Sequence, residues 1–227
     1  MNYSDEYLLY ILAAIRNNQD YITEEILIEQ INIIKYGTKL EGNKLKNFEE
    51  DLKRTAYHEA GHAVLSFILR PEILIEQVTI SPRSESLGFV SYKIEDYLEN
   101  VSKEEIMNNI CVLLAGRISK IKKFGKSGLE SGSMNDLEQA TAQAYFAIAN
   151  LGMDDELGYI SINLISNNIN KILYRQIEER LLDWIKSATC QTEDLVEKNW
   201  DKIMSLAELL ISKEVVEGSE LEQIMRN

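Results

Sequence analysis

The only two histidines of this 227-residue chain, His58 and His62, lie four residues apart and enclose Glu59. Positions four apart on a helix lie on the same face, one turn above each other, so two imidazoles there can converge on one cation. The segment matches the pattern H-E-x-x-H, which is typical of a zinc site with the glutamate as general base. The spacing therefore predicts a helix here.

We predict that His58 and His62 bind Zn²⁺ and that Glu59 is the catalytic base. A bound zinc ion lowers the pKa of its water to about 7, and the glutamate can take the proton released. The alternative is an amphipathic helix whose histidines only pack or cap. It would need every histidine of the chain to fall by chance at this spacing around a glutamate.

A zinc ion with an open position needs a third protein ligand, and without another histidine this must be a carboxylate or a cysteine. Asp136 is our candidate because it begins a predicted helix after the glycine- and serine-rich loop 125–133. Ser133 and Asp136 also have capping-box spacing, so Asp136 could instead satisfy helix-end amides. The residues alone leave these two roles open, with Glu130 as a rival ligand.

The rest of the pattern predicts a mainly α protein with a small β-sheet, an α+β fold. Helices are expected over residues 7–16, from the cap Thr23, from Asn47 to Pro71, from Ser102 to near Gly125 and over 135–150. Two more are expected within 170–212, with a break near 189–192, and Ser219 with Glu222 forms a last capping pair. Strands are expected over 76–80 and 88–92. An exposed edge at 78–80 or 89–90 could bind an extended substrate; the alternative is a small sheet that only covers the core.

Gly61 lies in the middle of the predicted metal helix, where a glycine costs about 1 kcal/mol relative to alanine. This cost suggests that another backbone approaches the helix closely at that point. An indifferent surface glycine is the alternative.

Charge and composition disfavour several classes of protein. The formal charge of −13 and the pI of about 4.7 oppose binding to nucleic acid or to an anionic membrane surface. The longest nearly apolar run, residues 7–15, is too short to span a bilayer. Cys111 and Cys190 are isolated, and no signal peptide precedes them, so we expect two reduced thiols in a cytoplasmic protein.

Several segments beyond the two histidines match one family motif by motif. They are residues 55–64, residues 78–83 with Leu87 and Gly88, residues 114–117, residues 131–137 with Ala140 and Thr141, Gly152 with Met153, and Leu157 with Gly158. These segments resemble the peptidase domain of the FtsH-type ATP-dependent zinc proteases, from about Lys46 to the end of the chain. The resemblance implies a helical zinc-peptidase fold, and it implies that Asp136 is the third zinc ligand.

The chain departs from that family in having no G-x-x-x-x-G-K-[ST] phosphate loop, because Lys120 stands where the first glycine before Gly125-Lys126-Ser127 is required. Residues 4–37 loosely resemble the last helices of the family's motor lid. We therefore expect residues 1–45 to form a lid-like helical segment with a linker, and residues 46–227 to form the peptidase domain. The initial methionine favours a natural motor-less relative over a fragment.

The resulting hypothesis is a zinc endopeptidase that cleaves unfolded or loosely folded polypeptides without an ATPase motor of its own. By resemblance we also expect a homo-oligomer, a hexamer in the family, and a partner unfoldase acting in trans. The alternatives are a non-catalytic zinc module that regulates or assembles a protease complex, and a small-molecule zinc hydrolase. The retained Glu59 argues against a purely structural site.

Overall fold

The computed structural model describes residues 23–39, 48–83, 87–93, 101–161 and 171–226. The chain divides into two compact units, Met1–Phe48 with Ser81–Gly88, and Glu49–Ile80 with Phe89–Asn227. The predicted helix over residues 7–16 and the predicted boundary between residues 45 and 46 lie outside the described residues.

The smaller unit contains helix α1 (Glu24–Tyr36), which begins at Thr23 as predicted. The Thr23 hydroxyl accepts a hydrogen bond from the backbone N–H of Ile26 at 3.3 Å. Within this unit the buried Arg83 donates to both carboxylate oxygens of Glu29, at 2.7 and 3.2 Å, and to the Gly37 carbonyl. A bidentate arginine–carboxylate pair of this kind fixes the segment around Arg83 against α1.

The larger unit is built around helix α2 (Phe48–Leu69). Three acidic residues in its first turn stabilise the positive N-terminal end of the helix dipole. Pro71 follows its last turn, as predicted. Every residue from 56 to 66 is buried, whether apolar or polar. A helix that is covered on all sides places its polar groups inside the protein, and those groups include His58, Glu59 and His62.

A three-stranded antiparallel sheet covers one side of α2, with strands β1 (Ile75–Thr79), β2 (Phe89–Tyr92) and β3 (Val215–Glu217) in the order β2-β1-β3. Val78 pairs with Val90 on one side and with Val216 on the other. The predicted substrate edge at 78–80 is therefore wrong for β1, since β1 is the central strand. β3 was not predicted, because three residues carry too little alternation to be recognised.

Four further helices of the larger unit follow β2 along the chain. They are α3 (Lys103–Phe124), α4 (Met134–Ala149), α5 (Lys171–Lys198) and α6 (Trp200–Lys213). The capping box of Ser102 and Glu105 begins α3, and Gly125 with φ 62° ends it, as predicted. Two 3₁₀ turns, Gly125–Gly128 and Ser131–Ser133, connect α3 to α4.

Two details of the C-terminal prediction are wrong. The helix break expected near residues 189–192 does not occur, because Ala188, Thr192 and Val196 are fully buried and such packing overrides the weak helix propensity of threonine. The hydroxyls of Thr189 and Thr192 each donate to the carbonyl four residues earlier, at 2.7 Å, and so remain paired within α5. The break lies at Asn199 instead. The last helix, α7 (Gly218–Arg226), contains Ser219 in its first turn, and the N–H of Glu217 donates to the Glu220 carboxylate.

Two apolar clusters fill the larger unit, and α3 contributes to both. One cluster packs α2 against the sheet, α6 and α7; the other joins α3, α4 and α5. Cys111, in the second cluster, and the exposed Cys190 are free thiols. Helices with a small sheet confirm the predicted α+β class. No helix in the described part of the chain combines the length and apolar character that crossing a bilayer requires.

Candidate metal centre

The two histidines of α2 face each other as the four-residue spacing predicts. Their Nε2 atoms are 3.0 Å apart, and their ring centroids are separated by 4.5 Å with the ring planes nearly perpendicular. Both residues are at most 9% exposed. The helix therefore presents two imidazole nitrogens to one point in the protein interior.

Asp136 comes to the same point from the first turn of α4. Its Oδ2 lies 3.1 Å from Nε2 of His58 and 3.4 Å from Nε2 of His62. Ser133 makes no side-chain capping bond at the start of this helix. The rival Glu130 instead accepts a hydrogen bond from Lys120 at 2.9 Å. Within the described ranges, the one group of three histidine, cysteine or carboxylate ligand atoms lying within 4.8 Å of one another is His58, His62 and Asp136.

The separations within this trio suit a zinc ion. Ligands at about 2.0–2.2 Å from a tetrahedral zinc lie about 3.3 Å from each other, and the three observed separations are 3.0, 3.1 and 3.4 Å. Lone pairs at such distances repel one another unless a proton or a cation lies between them. Two imidazoles and one carboxylate also match the donor types of catalytic zinc sites with an open position.

A backbone contact orients His62. Its Nδ1 lies 2.7 Å from the carbonyl oxygen of Val112 in α3, so the protonated Nδ1 donates there and the Nε2 lone pair is left for a metal. The Nδ1 of His58 is buried and has no hydrogen-bond partner among the described residues. The role of Val112 was not predicted, because a backbone acceptor has no signature in residue type.

Glycines allow α3 to pass directly beside these rings. A Cβ added at Gly116 would lie 2.5 Å from Nδ1 of His58 and 2.5 Å from Nε2 of His62. A Cβ at Gly61 would lie 2.7 Å from the Ala115 carbonyl oxygen, which confirms the predicted close approach of a second backbone. Gly116 was missed as a site residue, although its mid-helix position was a signal equal to that of Gly61.

The charged groups of the centre are strongly perturbed. Burial, together with the charge of His62, lowers the pKa of His58 to about 4. Burial raises the pKa of Glu59 to about 7. Burial opposes the charged forms of Asp136 and His62, but their mutual hydrogen bond and charge attraction prevail, lowering the pKa of Asp136 and raising that of His62. The charge of Lys120 lowers the pKa of both His58 and Glu59.

These directions describe a buried site whose groups interact strongly. His58 is held neutral, which is the form that binds metal. Several strongly perturbed groups in one interior cluster are a common mark of a functional site.

Most of the chain is similar in sequence to known zinc metalloproteases. The family model for peptidase family M41 matches residues 47–224. The chain is 33% identical over 225 residues to the ATP-dependent zinc metalloprotease FTSH 3, mitochondrial, of Arabidopsis thaliana, covering 94% of this chain and 27% of the relative. It is 30% identical over 222 residues to the mitochondrial inner membrane m-AAA protease component AFG3L2 of Mus musculus, covering 94% of this chain and 27% of the relative.

A bacterial relative gives a similar result. The chain is 28% identical over 225 residues to the ATP-dependent zinc metalloprotease FtsH of Lancefieldella parvula, covering 95% of this chain and 34% of the relative. The chain thus spans about a third or less of the curated relatives it matches. The resemblance to the FtsH-type peptidase domain is confirmed. With a family model covering residues 47–224, the chain belongs to peptidase family M41.

Proposed function

We propose that this chain is a zinc-dependent endopeptidase in which His58, His62 and Asp136 hold the metal and Glu59 is the general base. The observation that carries the proposal is the convergence of the three ligand atoms, with separations of 3.0 to 3.4 Å, beside a buried glutamate. The relatives' names describe zinc metalloproteases, and the family match supports the same reaction here.

The chain's own residues have separable tasks in peptide hydrolysis. Bound at the trio, zinc would act as a Lewis acid that lowers the pKa of a water to about 7 and polarises the scissile carbonyl. The Glu59 carboxylate takes a proton from the attacking water as its oxygen bonds to the carbonyl carbon. Glu59 then delivers that proton to the amide nitrogen as the C–N bond breaks. Val112 keeps His62 in the tautomer that leaves its Nε2 lone pair available.

The burial of the site bears on the substrate. His58 and His62 are 9% and 8% exposed, and Gly116 packs directly against them. A peptide bond inside a folded substrate could not approach the nitrogens of His58 and His62 unless the substrate chain around that bond were extended. We therefore propose that the substrate is an unfolded or loosely folded polypeptide, cleaved within its length.

Assembly, partners and compartment belong to the same proposal. By resemblance to the family, we propose that the chain forms a homo-oligomer, a hexamer in the family, and works with an unfoldase supplied in trans. A cytoplasmic location remains a prediction. Sedimentation of the purified chain measures the first point: a single monomeric species at micromolar concentration would contradict it.

The substitution Glu59→Gln tests the enzymatic part. It keeps the shape of the side chain but cannot accept a proton, and removing a general base costs about 10²–10⁴-fold in rate. We expect cleavage of casein to fall by that factor while bound zinc, measured by atomic absorption, stays at the parent level. The matched control is Glu49→Gln, an exposed glutamate in the first turn of the same helix, which should cleave like the parent.

The outcomes separate the rival hypotheses. A Glu59→Gln variant as active as the parent would refute the role of Glu59. A parent chain that binds zinc but cleaves neither casein nor a small ester would indicate the non-catalytic zinc module. Cleavage of the ester alone would indicate a small-molecule hydrolase.

A further inference from the structure

A buried lysine lies beside the candidate metal centre and takes no part in the proposed reaction. Lys120, on α3, is only 3% exposed. Its Nζ donates a hydrogen bond to Oε1 of Glu130 at 2.9 Å. A buried ammonium group is costly unless it is paired, so this contact is a strong constraint on where Glu130 can lie.

The 125–133 loop, which contains Glu130, packs around Lys120 at both ends of that residue. A Cβ added at Gly128 would lie 2.5 Å from the Lys120 carbonyl oxygen, so the loop backbone touches the α3 backbone there. A Cβ added at Gly132 would lie 3.6 Å from the Lys120 Nζ, an ordinary contact distance. The loop thus follows the lysine from its carbonyl to its ammonium group.

A second cation ties the same loop to α2. Nη1 of Arg54 lies 3.8 Å from Oε2 of Glu130 and donates to the carbonyl of Ser127. The loop is therefore held by α2 and α3 together. These are the helices that carry the two histidines and the Val112 carbonyl.

The loop leads into α4 only three residues before Asp136. No side-chain hydrogen bond caps the start of α4, and the buried Ser133 hydroxyl has no partner among the described residues. The local chain therefore does little to set where α4 begins. Contacts of the loop with Lys120 and Arg54 therefore act together with the packing of α4 on α3 and α5 in setting that position.

We propose that Lys120 is a positioning residue, which through Glu130 holds the 125–133 loop so that Asp136 reaches His58 and His62. This inference rests on the proposed zinc site and extends it to a residue outside the ligand set. Lys120 touches neither metal nor substrate in this role.

A positioning role and simple electrostatics predict opposite changes in zinc affinity when Lys120 is replaced. A positive charge near a zinc site repels the metal, so removing Lys120 without other effects would tighten binding. Removing an anchor of the Asp136 loop weakens binding instead. For Glu130 both effects weaken binding, so Lys120 is the informative residue.

The experiment measures the zinc dissociation constant of the full chain by competition with a chromophoric chelator. The variants are Lys120→Met, Lys120→Arg, Glu130→Gln and the double Lys120→Met/Glu130→Gln. The control is Lys122→Met, on the same helix, whose partner Glu197 lies at the surface. Changes in groups that support metal ligands cost about 10–100-fold in affinity, and we expect that loss for Lys120→Met and Glu130→Gln.

The expected pattern has three further parts. The double variant should bind zinc no more weakly than the weaker of the two single variants, since both substitutions remove the same Lys120–Glu130 ion pair. Lys120→Arg should recover most of the affinity because it keeps the charge, and Lys122→Met should bind zinc like the parent. Thermal melts of the metal-free chains show whether each variant is folded at the assay temperature; a merely structural role would lower the melting temperature without changing the affinity of the folded chain.

Unchanged or tighter zinc binding by Lys120→Met, or additive losses in the double variant, would overturn the proposal. If Lys120→Met does not fold, Glu130→Gln, whose side chain is partly exposed, takes its place, and a parent-like zinc affinity of that variant would overturn the proposal. The proposed zinc site is tested separately by His58→Ala. It fails if that variant binds zinc as tightly as the parent. Normal parent binding with unaffected Lys120→Met and Glu130→Gln variants refutes only the positioning role.

Discussion

Gly116→Ala is the most stringent test of the geometry of the metal centre, because it adds one methyl group where α3 meets the imidazoles. The new Cβ would lie 2.5 Å from Nδ1 of His58, 2.6 Å from Cε1 of the same ring and 2.5 Å from Nε2 of His62. Non-bonded carbon and nitrogen atoms prefer about 3.5 Å. The rings and the helix must therefore separate by about 1 Å.

Two opposing effects act on the unfolding free energy of the metal-free chain. Alanine is about 1 kcal/mol better than glycine inside a helix, while overpacking a core costs about 1–3 kcal/mol. The metal-free chain should consequently lose about 0–2 kcal/mol of unfolding free energy. Metal–ligand distances tolerate only about 0.2 Å, so zinc affinity should fall by more than the roughly 100-fold that outer contacts are worth.

Chelator competition and urea denaturation of the metal-free chain measure the two quantities. The matched control is Gly132→Ala, where the nearest atom to the new Cβ is 3.6 Å away and zinc affinity should stay within about twofold of the parent. Gly116→Ala with parent-like zinc affinity would refute the close packing of α3 against the histidines.

Three other predictions follow from the same structure. Asp136→Asn should remove bound zinc and casein cleavage together, and a variant with full zinc content would leave Asp136 without a ligand role. Asp154→Ala should lower the unfolding free energy by about 3 kcal/mol in urea, because this 2% exposed carboxylate accepts hydrogen bonds from Trp184, Arg180 and two backbone amides. Those bonds lower the Asp154 pKa despite burial. The contribution of Asp154 to the unfolding free energy is therefore present above the unfolded pKa of about 3.9 and is lost as the pH falls through the lower folded value. An acid unfolding transition of the variant at the same pH as in the parent would contradict this. A strong chelator should abolish cleavage and zinc should restore it, whereas activity that survives chelation would exclude the metal mechanism.

Much of the fold follows from patterns within a few residues. The spacing of His58 and His62 predicted the helix that carries them, and Ser102 with Glu105 marked the start of α3. These signals are reliable because a helix turn repeats every 3.6 residues and its first amides need nearby acceptors. Both causes act over less than two turns, so the residues alone reveal them.

The choice between Asp136 and Glu130 could not be made in that way. Both carboxylates lie near the loop between α3 and α4, and their distance along the chain from His58 is similar. In the folded protein Lys120 pairs with Glu130, and Asp136 turns to the two imidazoles. A contact between elements some seventy residues apart depends on how α2, α3 and α4 pack, which spacing does not encode.

The same limit explains what else was missed. The α5 helix continues through Thr189 and Thr192, although the residue types suggest a break, because Ala188, Thr192 and Val196 are buried by packing against distant segments. Val112 and Gly116 serve the site through a carbonyl oxygen and through the lack of a side chain. Local chemistry thus specified the two imidazole nitrogens, the proposed base Glu59 and the helix that carries them. Packing between helices specified the proposed third ligand, Asp136, and the surfaces that hold the imidazole rings, because those contacts exist only once distant segments have come together.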